Sequence, residues 1–430
     1  MNRRELLAAG GLAGGGLLSG CATGPAQADP LRGEALLRDV ETYVGFGVHR
    51  SGGPGDVATS NWLASRWRSL GYQVEQESYD IPNSDASVAA LAAGAENFPG
   101  FAQPPIVTTG AGGLKAALAL WDRVSPGGVA GRIAIVHVPR PPGAASPGAA
   151  YRAAFAEAQA AGAVAIVAAI SGPSGDIVAI NTPVDLKPGL PILALGEREL
   201  PRLQSAMAAG GEAVLRIEGP GGMRRASNTI ARHGETGPWL IVSTPQSGWF
   251  TCGGERGPGV AISLALSEWA LRQKFPCRLL FVGTSGHEWT DFGAHQFHKT
   301  SAPEPDDTAL WFHLGASFAA RGYEETAQGP RPLEVANPVR SLMVSNGLLE
   351  ATRTAFAGQA GIEAPMAADG RTALGETRLV IEEGYPVLAG FWGAHALFHT
   401  PQDDARATTP QILETVARAV AKVIERGVKT

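Results

Sequence analysis

Cysteine is scarce in this chain of 430 residues, which contains three: Cys21, Cys252 and Cys277. Three cysteines cannot build the framework of several disulfides that stabilises small secreted domains. Cys252 and Cys277 could pair in an oxidising compartment, but a free buried thiol explains each of them equally well. Hydrophobic residues make up 44% of the sequence, so we expect a core of apolar side chains to stabilise the fold.

Charged residues are also few, at 17%, and no block of positive charge is present. The 35 Lys and Arg residues and 40 Asp and Glu residues give a formal net charge of −5. Basic residues are not interleaved with aromatic ones, which argues against a nucleic-acid partner. The sequence also lacks an internal repeat. Its length and composition indicate a soluble globular protein with room for two domains.

One apolar run stands apart, in residues 1–28. It begins with Arg3-Arg4, continues with Gly, Ala and Leu, and ends in small residues, which is the composition of an export signal. The paired arginines resemble a twin-arginine signal, and "LLSGC" resembles a lipobox that would make Cys21 a lipidated residue. "AQA" at 26–28 is an alternative cleavage site. We therefore expect an exported, periplasmic protein, either free or membrane-attached through Cys21.

Strand-like and helix-like patterns alternate along the rest of the chain. Apolar runs such as "PWLIVST" and "CRLLFVGT" are separated by helical segments such as "GVAISLALSEWALRQKF". This alternation predicts an α/β fold with a mixed, mostly parallel sheet that helices cover on both faces. Between Pro82 and Pro105 the composition changes to Ala, Gly, Pro and Asn, which indicates a boundary before a second, smaller α/β unit.

A dense group of ionisable side chains directly follows one predicted strand. In "FVGTSGHEWTDFGAHQF" the apolar run ends and His287, Glu288, Asp291 and His295 follow within a few residues. Open α/β sheets bind ligands at the carboxyl ends of their strands, so this segment is a candidate for catalytic groups. His287 could instead be a polar core residue. "GTSGH" differs from the Gly-x-Ser-x-Gly motif, which argues against a serine hydrolase.

Several segments, in this order, resemble the co-catalytic di-zinc aminopeptidases, a group that includes bacterial leucyl aminopeptidases and glutamate carboxypeptidase. They are "RSGGPG…WLASRWRSLGYQVE", "NTIARHG", "GPGVAISLALSEWA", "LLFVGTSGHEWTDFGAHQF" and "FHTPQDD". The resemblance covers essentially the whole chain after the signal. It implies a zinc-peptidase fold formed by residues 31–84 and 226–430. Residues 85–225 resemble an inserted protease-associated domain, with "GRIAIVHVPR", an A-x-x-A-G-A turn and "LPILALG".

The metal ligands of that family are only partly present. Thr244 and Gln246 stand where the family has a His-x-Asp pair, and neither is a useful zinc ligand. Glu255 falls on the bridging Asp and Arg256 on the usual Asn, although solvated charges on a turn would explain both. The resemblance therefore implies a divergent metal site.

The other positions keep ionisable groups. His287 falls on the general-base Glu, and histidine can act as a base near neutral pH or become a ligand. The resemblance implies His287 and Glu288 as catalytic residues, and it implies the metal ligands Glu255, Glu288, His313 and His399. Such a set would hold one zinc ion or none. Glu376, His395 and Trp289 fall in segments that would line the substrate pocket, where Glu376 and His395 could equally be surface residues.

Three interpretations follow from these residues. The first is an exported metal-dependent hydrolase with a mononuclear site, acting on a peptide or related amide. The second is a metal-independent glycoside or ester hydrolase that uses Glu255, Glu288, Glu376 and His287, with Trp249, Trp289 and Trp392 near a sugar. The third is an inactive binding homologue. The expected partner is a small-molecule, peptide or glycan substrate.

Overall fold

A computed structural model describes most of the chain, namely residues 28–124, 126–141, 144, 148–187 and 189–429. The predicted signal, with Arg3-Arg4 and Cys21, lies outside the described residues except for Ala28. Within these ranges no helix has the length and apolar character needed to cross a bilayer. Cys252 and Cys277 are both free thiols, Cys252 buried and Cys277 half-buried.

The described residues form nine α-helices and eighteen β-strands. The helices are α1 (Gly33–Gly45), α2 (Pro54–Ser69), α3 (Gly148–Ala160), α4 (Leu200–Ala209), α5 (Gly257–Gln273), α6 (Phe292–Thr300), α7 (Leu349–Ala355), α8 (Glu376–Glu382) and α9 (Pro410–Gly427). The strands are β1 (Gln73–Pro82), β2 (Val88–Ala93), β3 (Glu96–Pro99), β4 (Phe101–Ala102), β5 (Leu114–Leu120), β6 (Ile133–Val138), β7 (Ala165–Ile170), β8 (Ile192–Gly196), β9 (Glu212–Glu218), β10 (Met223–His233), β11 (Trp239–Pro245), β12 (Arg278–Thr284), β13 (Thr308–His313), β14 (Arg321–Thr326), β15 (Gly329–Ala336), β16 (Arg340–Val344), β17 (Met366–Ala367) and β18 (Leu388–Gly393).

The main sheet has eight strands in the order β1-β10-β12-β11-β13-β18-β16-β17. Its centre is parallel, because β11 pairs in parallel with β12 and β13, and β13 pairs in parallel with β18. β1 and β10 are antiparallel to their neighbours, whereas β16 is antiparallel to β18 and parallel to β17. The predicted fold class, a mixed and mostly parallel sheet within an α/β fold, is confirmed.

Both faces at the centre of this sheet are buried. Along β12, Leu279 and Phe281 lie in one hydrophobic core with α1, α5 and α9. Leu280 and Val282 lie in a second core with side chains of α6 and α8. Successive side chains of a strand point to opposite faces, so a strand buried on both faces reads as a continuous apolar run. This is why "LLFV", residues 279–282, is apolar throughout.

A second eight-stranded sheet contains β2 to β9, in the order β3-β2-β9-β5-β6-β7-β8-β4. Its strands β5 to β8 are parallel, and α3 packs against β6 and β7. This unit, called the insert below, interrupts the main sheet between β1 and β10. These two strands pair, with Pro82 opposite Met223, so the chain leaves and re-enters the main sheet at neighbouring points.

The sequence pattern did not predict the strands β14 to β17. β14 and β15 form a separate two-stranded antiparallel ribbon, whose side chains are largely exposed or half-buried. Without a buried face the ribbon has no alternation of apolar and polar residues. β15 also contains two prolines, which are typical of edge strands.

Gly293 permits the close approach of α6 to the end of β12. A Cβ atom there would lie 1.8 Å from the carbonyl oxygen of Ser285 and 2.3 Å from the hydroxyl of Tyr79. We expect Gly293→Ala to lower the free energy of unfolding by about 1–3 kcal/mol or more, because a backbone atom cannot easily move aside. Chemical denaturation measures this change.

Gly45→Ala is the matched control, because a Cβ at the last residue of α1 would meet no described atom within 4 Å. Alanine is the better helix former, so this variant should be as stable as the parent or slightly more so. Equal denaturation midpoints for both variants would contradict the packing described for α6.

Candidate active site

Ionisable side chains collect at the carboxyl edge of the parallel strands. His313 is the last residue of β13, and Glu376 is the first residue of α8, which leads toward β18. After β12, His287 and Glu288 lie on a short 3-10 helix, and Asp291 immediately precedes α6. Parallel strands bring segments that are distant in sequence to one edge, and this edge is where such sheets bind ligands.

His287, Asp291 and Glu376 form one cluster, the His287 group. Nδ1 of His287 lies 2.9 Å from Oδ1 of Asp291 and 3.1 Å from Oε1 of Glu376. One potential ligand atom from each residue lies within 4.8 Å of the other two. The hydroxyl of Thr284, at the end of β12, donates to the Glu376 carboxylate at 3.0 Å. This arrangement orients two carboxylates and one imidazole toward a common point.

The charges within the His287 group stabilise each other. Burial and the charge of Arg256 oppose protonation of His287, but Asp291 and Glu376 outweigh them and raise its pKa to about 10. Burial alone would raise the pKa of Asp291, yet the charge of His287 holds it below the usual value. Without another cation, a proton on His287 therefore compensates these carboxylates at neutral pH.

His313 lies beside this cluster. Its Nδ1 is 4.0 Å from Oε2 of Glu376 and 2.9 Å from the hydroxyl of Ser243, which also accepts a hydrogen bond from the Trp311 indole at 2.8 Å. Burial lowers the pKa of His313 to about 4. His313 is therefore a neutral imidazole at physiological pH, the form that binds metals.

Glu255, Arg256 and His399 form a second cluster, the Glu255 group. Oε1 of Glu255 lies 2.8 Å from a guanidinium nitrogen of Arg256 and 3.3 Å from Nε2 of His399. The side chains of Glu255 and Arg256 are each 1% exposed. Burial alone would raise the pKa of Glu255, but Arg256 and His399 outweigh it and hold the pKa well below its usual range. Glu255 is therefore an ionised carboxylate.

Several atoms of the Glu255 group have no hydrogen-bond partner among the described residues, although they are buried. They are both carboxylate oxygens of Glu255, Nε2 of His399 and the two terminal nitrogens of Arg256. Buried polar atoms without partners are rare and point to a missing water, ion or ligand. The Glu255 group is thus open to a bound species.

Glu288, the residue after His287, is buried near Arg256. Its Oε2 accepts hydrogen bonds from the hydroxyls of Ser51, at 2.6 Å, and Ser247, at 2.9 Å. Burial disfavours the charge of Arg256, but Glu255 and Glu288 outweigh it and raise the pKa of the guanidinium. One buried arginine therefore balances two of the predicted ligand carboxylates.

The predicted substrate residues lie in three different places. Glu376 belongs to the His287 group. His395 is buried behind Glu255, where it bonds to Asp403 at 3.1 Å, and Asp403 accepts from the backbone N–H of Glu255 at 3.0 Å. Trp289 is 1% exposed and packs in a small core with Tyr79. It presents no open face for stacking on a sugar.

Thr244 and Gln246, at the positions of the family's His-x-Asp pair, make structural hydrogen bonds. The Thr244 hydroxyl donates to the carbonyl of Leu314 at 2.8 Å, and the Gln246 amide donates to Asp56 at 2.9 Å. Asp56 is a buried carboxyl that the sequence did not single out, and burial raises its pKa to about 6. The Ser285 hydroxyl also donates to it, at 2.7 Å.

Of the predicted ligands, the structure brings Glu255 and His399 into direct contact, places Glu288 against Ser51 and Ser247, and places His313 beside Glu376. Asp291 was noticed in the sequence but given no role. Its proximity to His287 was the available signal, since side chains four positions apart often meet in a helical turn.

Removal of Arg256 should leave the buried carboxylate of Glu255 uncompensated. We expect Arg256→Met to destabilise the fold by about 3–5 kcal/mol at neutral pH. The wild-type pKa of Glu255 is depressed, so its charge stabilises the fold above the unfolded carboxyl pKa, and this contribution is lost as the pH falls. In the variant the folded pKa of Glu255 rises. The destabilisation should therefore be smaller at about pH 5 than at about pH 7 in urea titrations.

The double variant Glu255→Gln with Arg256→Met should recover part of the lost stability, because it removes both charges. Arg331→Met is the control, since Arg331 pairs with Glu324 on the exposed ribbon and should not affect stability measurably. If Arg256→Met destabilised the protein equally at both pH values, the ion pair would not have the role described.

Neither a family model nor a curated protein sequence matches this chain. Solved structures do match its fold. A zinc aminopeptidase from Bacillus subtilis superposes with a TM-score of 0.72 at 16% identity, covering 93% of this chain and 96% of the other. A peptidase M28 precursor from Shewanella amazonensis SB2B gives a TM-score of 0.70 at 16% identity, covering 92% and 96%. An aminopeptidase from Aneurinibacillus sp. strain AM-1 gives 0.59 at 18%, covering 93% and 96%. The chain therefore has a zinc-aminopeptidase-like fold.

Proposed function

We propose that this protein is a metal-dependent hydrolase that cleaves a peptide or related amide bond with a single divalent ion. The His287 group carries the proposal, because two carboxylates and an imidazole converge within 4.8 Å at the ligand-binding edge of the sheet. The shared fold with zinc aminopeptidases supports the same reading.

The residues of the His287 group fit a zinc ion chemically. Catalytic zinc sites combine three protein ligands of the His and carboxylate type with one open position. We assign His287, Asp291 and Glu376 as ligands, with His313 next to them as a neutral imidazole. When bound, the ion would supply Lewis acidity and would make a water molecule acidic enough to attack at neutral pH.

A second ion of the di-zinc kind does not fit the Glu255 group. Thr244 and Gln246 replace two ligands, and both bond within the protein. Arg256 already places a positive charge 2.8 Å from Glu255, and it would repel an added cation. The resemblance implied that Glu255, Glu288 and His399 are metal ligands. In our proposal they do not bind the metal ion.

Glu255 and His399 are instead suited to proton transfer. Their facing atoms are 3.3 Å apart, are buried, and have no hydrogen-bond partner within the described ranges. An imidazole beside a carboxylate can take a proton from one reacting group and return it to another. We assign His399 this role, with Glu255 orienting it and stabilising its charged form, and we assign His287 to the metal.

Export also belongs to the proposal. The composition of residues 1–28 supports a periplasmic location, with or without attachment through a lipidated Cys21. We further propose that the insert is a protease-associated domain, on the strength of the motifs quoted from its sequence.

The metal site can be tested by titration of the full mature chain with zinc, followed by calorimetry and metal analysis. We expect about one ion per chain. Asp291→Asn and Glu376→Gln each remove a ligand charge, so the affinity should fall by at least about a hundredfold, beyond the loss typical of a supporting residue.

Glu197→Gln is the matched control. Glu197 lies in the insert and bonds to His137 at 2.8 Å, so it makes the same kind of His–carboxylate contact outside the site. This variant should bind zinc like the parent. The proposal fails if the parent binds no stoichiometric divalent ion, or if Asp291→Asn binds it unchanged.

The reaction can be tested with short peptides that carry free or blocked ends. We expect amide hydrolysis that stops on chelation, returns with zinc, and falls by about a hundredfold or more in His399→Gln, because general acid–base groups contribute about 10²–10⁴-fold. Activity on a glycan that resists chelation and disappears in Glu255→Gln would instead establish the metal-independent alternative.

A further inference from the structure

One segment of the insert, residues 179–182, lies directly against the loops that carry the candidate active site. The backbone N–H of Thr182 donates to the carbonyl of Glu288 at 2.9 Å. The side chain of Asn181 accepts a hydrogen bond from the Trp249 indole at 2.8 Å. Ala179 itself is buried, so the contact excludes water. The insert therefore forms a wall of the site.

Ala179 bonds to His399 at two points. Its N–H donates to the His399 carbonyl at 3.0 Å, and its carbonyl lies 2.9 Å from Nδ1 of the His399 imidazole. A carbonyl oxygen can only accept, so Nδ1 must carry a proton. In the neutral ring the other nitrogen, Nε2, then keeps its lone pair. Nε2 is the atom that faces Glu255 at 3.3 Å.

The backbone of His399 is in the left-handed region, with φ of 60°. This conformation is unfavourable for a residue with a Cβ atom and persists only where surrounding contacts enforce it. The two bonds to Ala179 are such contacts. They hold both the main chain and the ring of His399.

Gln103, also in the insert, holds the same segment at Ile180. Its side-chain amide accepts from the N–H of Ile180 at 3.0 Å and donates to the carbonyl of Ile180 at 2.6 Å. Ala179 pairs with His399, while the adjacent Ile180 pairs with Gln103. Gln103 is buried, so water does not compete for these bonds.

We infer that the insert selects the tautomer of His399. The Ala179 carbonyl fixes the proton on Nδ1, and Gln103 is the positioning residue that holds Ala179 in place. The proposed function supplies the reason for such control, because only a ring with a free Nε2 can accept a proton there. The tautomer itself can be measured whether or not the protein is an enzyme.

The test is nitrogen NMR of the full mature chain labelled with ¹⁵N-histidine, at a pH high enough for the His399 ring to be neutral despite the nearby Glu255 carboxylate. The signals of His399 are assigned by their loss in His399→Gln. We expect a protonated Nδ1 and an unprotonated Nε2 in the parent. In Gln103→Ala the two nitrogen shifts should move toward each other as the tautomers mix.

Gln159→Ala is the control, since Gln159 is an exposed glutamine of the same insert and should leave the His399 signals unchanged. A neutral parent ring with its proton on Nε2 would overturn the inference. A Gln103→Ala spectrum identical to the parent would remove Gln103 from it. If Gln103→Ala does not fold, the parent spectrum still decides the tautomer. A correct tautomer without any hydrolytic activity would count against the proposed function and leave this inference standing.

Discussion

The buried ion pair of Glu255 and Arg256 is the constraint on which the rest of the site depends. Isolated charges are very costly to bury, and a pair of charges is tolerated only when its geometry and hydrogen bonds are good. Arg256 meets part of this condition with an ion-pair contact of 2.8 Å to Glu255 and a hydrogen bond of 3.1 Å from Nε to the Ser247 carbonyl, while its terminal nitrogens make no hydrogen bond to a described residue. Ser247 in turn donates to Glu288. A single cation thus keeps Glu255 ionised at the edge of the sheet, and Glu288 contributes to the raised pKa of that cation.

Charge balance also divides the site into two unlike halves. The half around Glu255 contains its own cation in Arg256, a residue that cannot release its proton in a protein. The half around His287 has two carboxylates and only a proton on the imidazole to compensate them. A proton can be exchanged for a metal ion, whereas an arginine cannot. This difference is the physical reason to assign the ion to the His287 group and proton transfer to the Glu255 group.

The sequence predicted the main elements because their signals are local. β12 and α5 are buried almost throughout, and long apolar runs reveal such elements. The loops that carry His287, Glu288, Glu255 and His399 were identifiable by their motifs. The sequence did not reveal which of these side chains contact each other. Glu376 reaches His287 from 89 residues away in the chain, a contact that depends on the strand order of the sheet. The hydrogen bond between Ser285 and Asp56, on α2, likewise joins residues that are distant in the chain.

The position of the insert explains why it can affect the site. Its two covalent connections lie side by side at the end of the β1–β10 pair, and alone they would leave it free to swing, as is common between domains. Trp249 and Phe250 of the main unit, however, lie in the same hydrophobic core as Phe101, Ala179 and Ile180 of the insert. This shared core fixes the insert by contacts additional to the two connections. Because the core includes Ala179, any shift of the insert would also shift the carbonyl that holds the His399 ring.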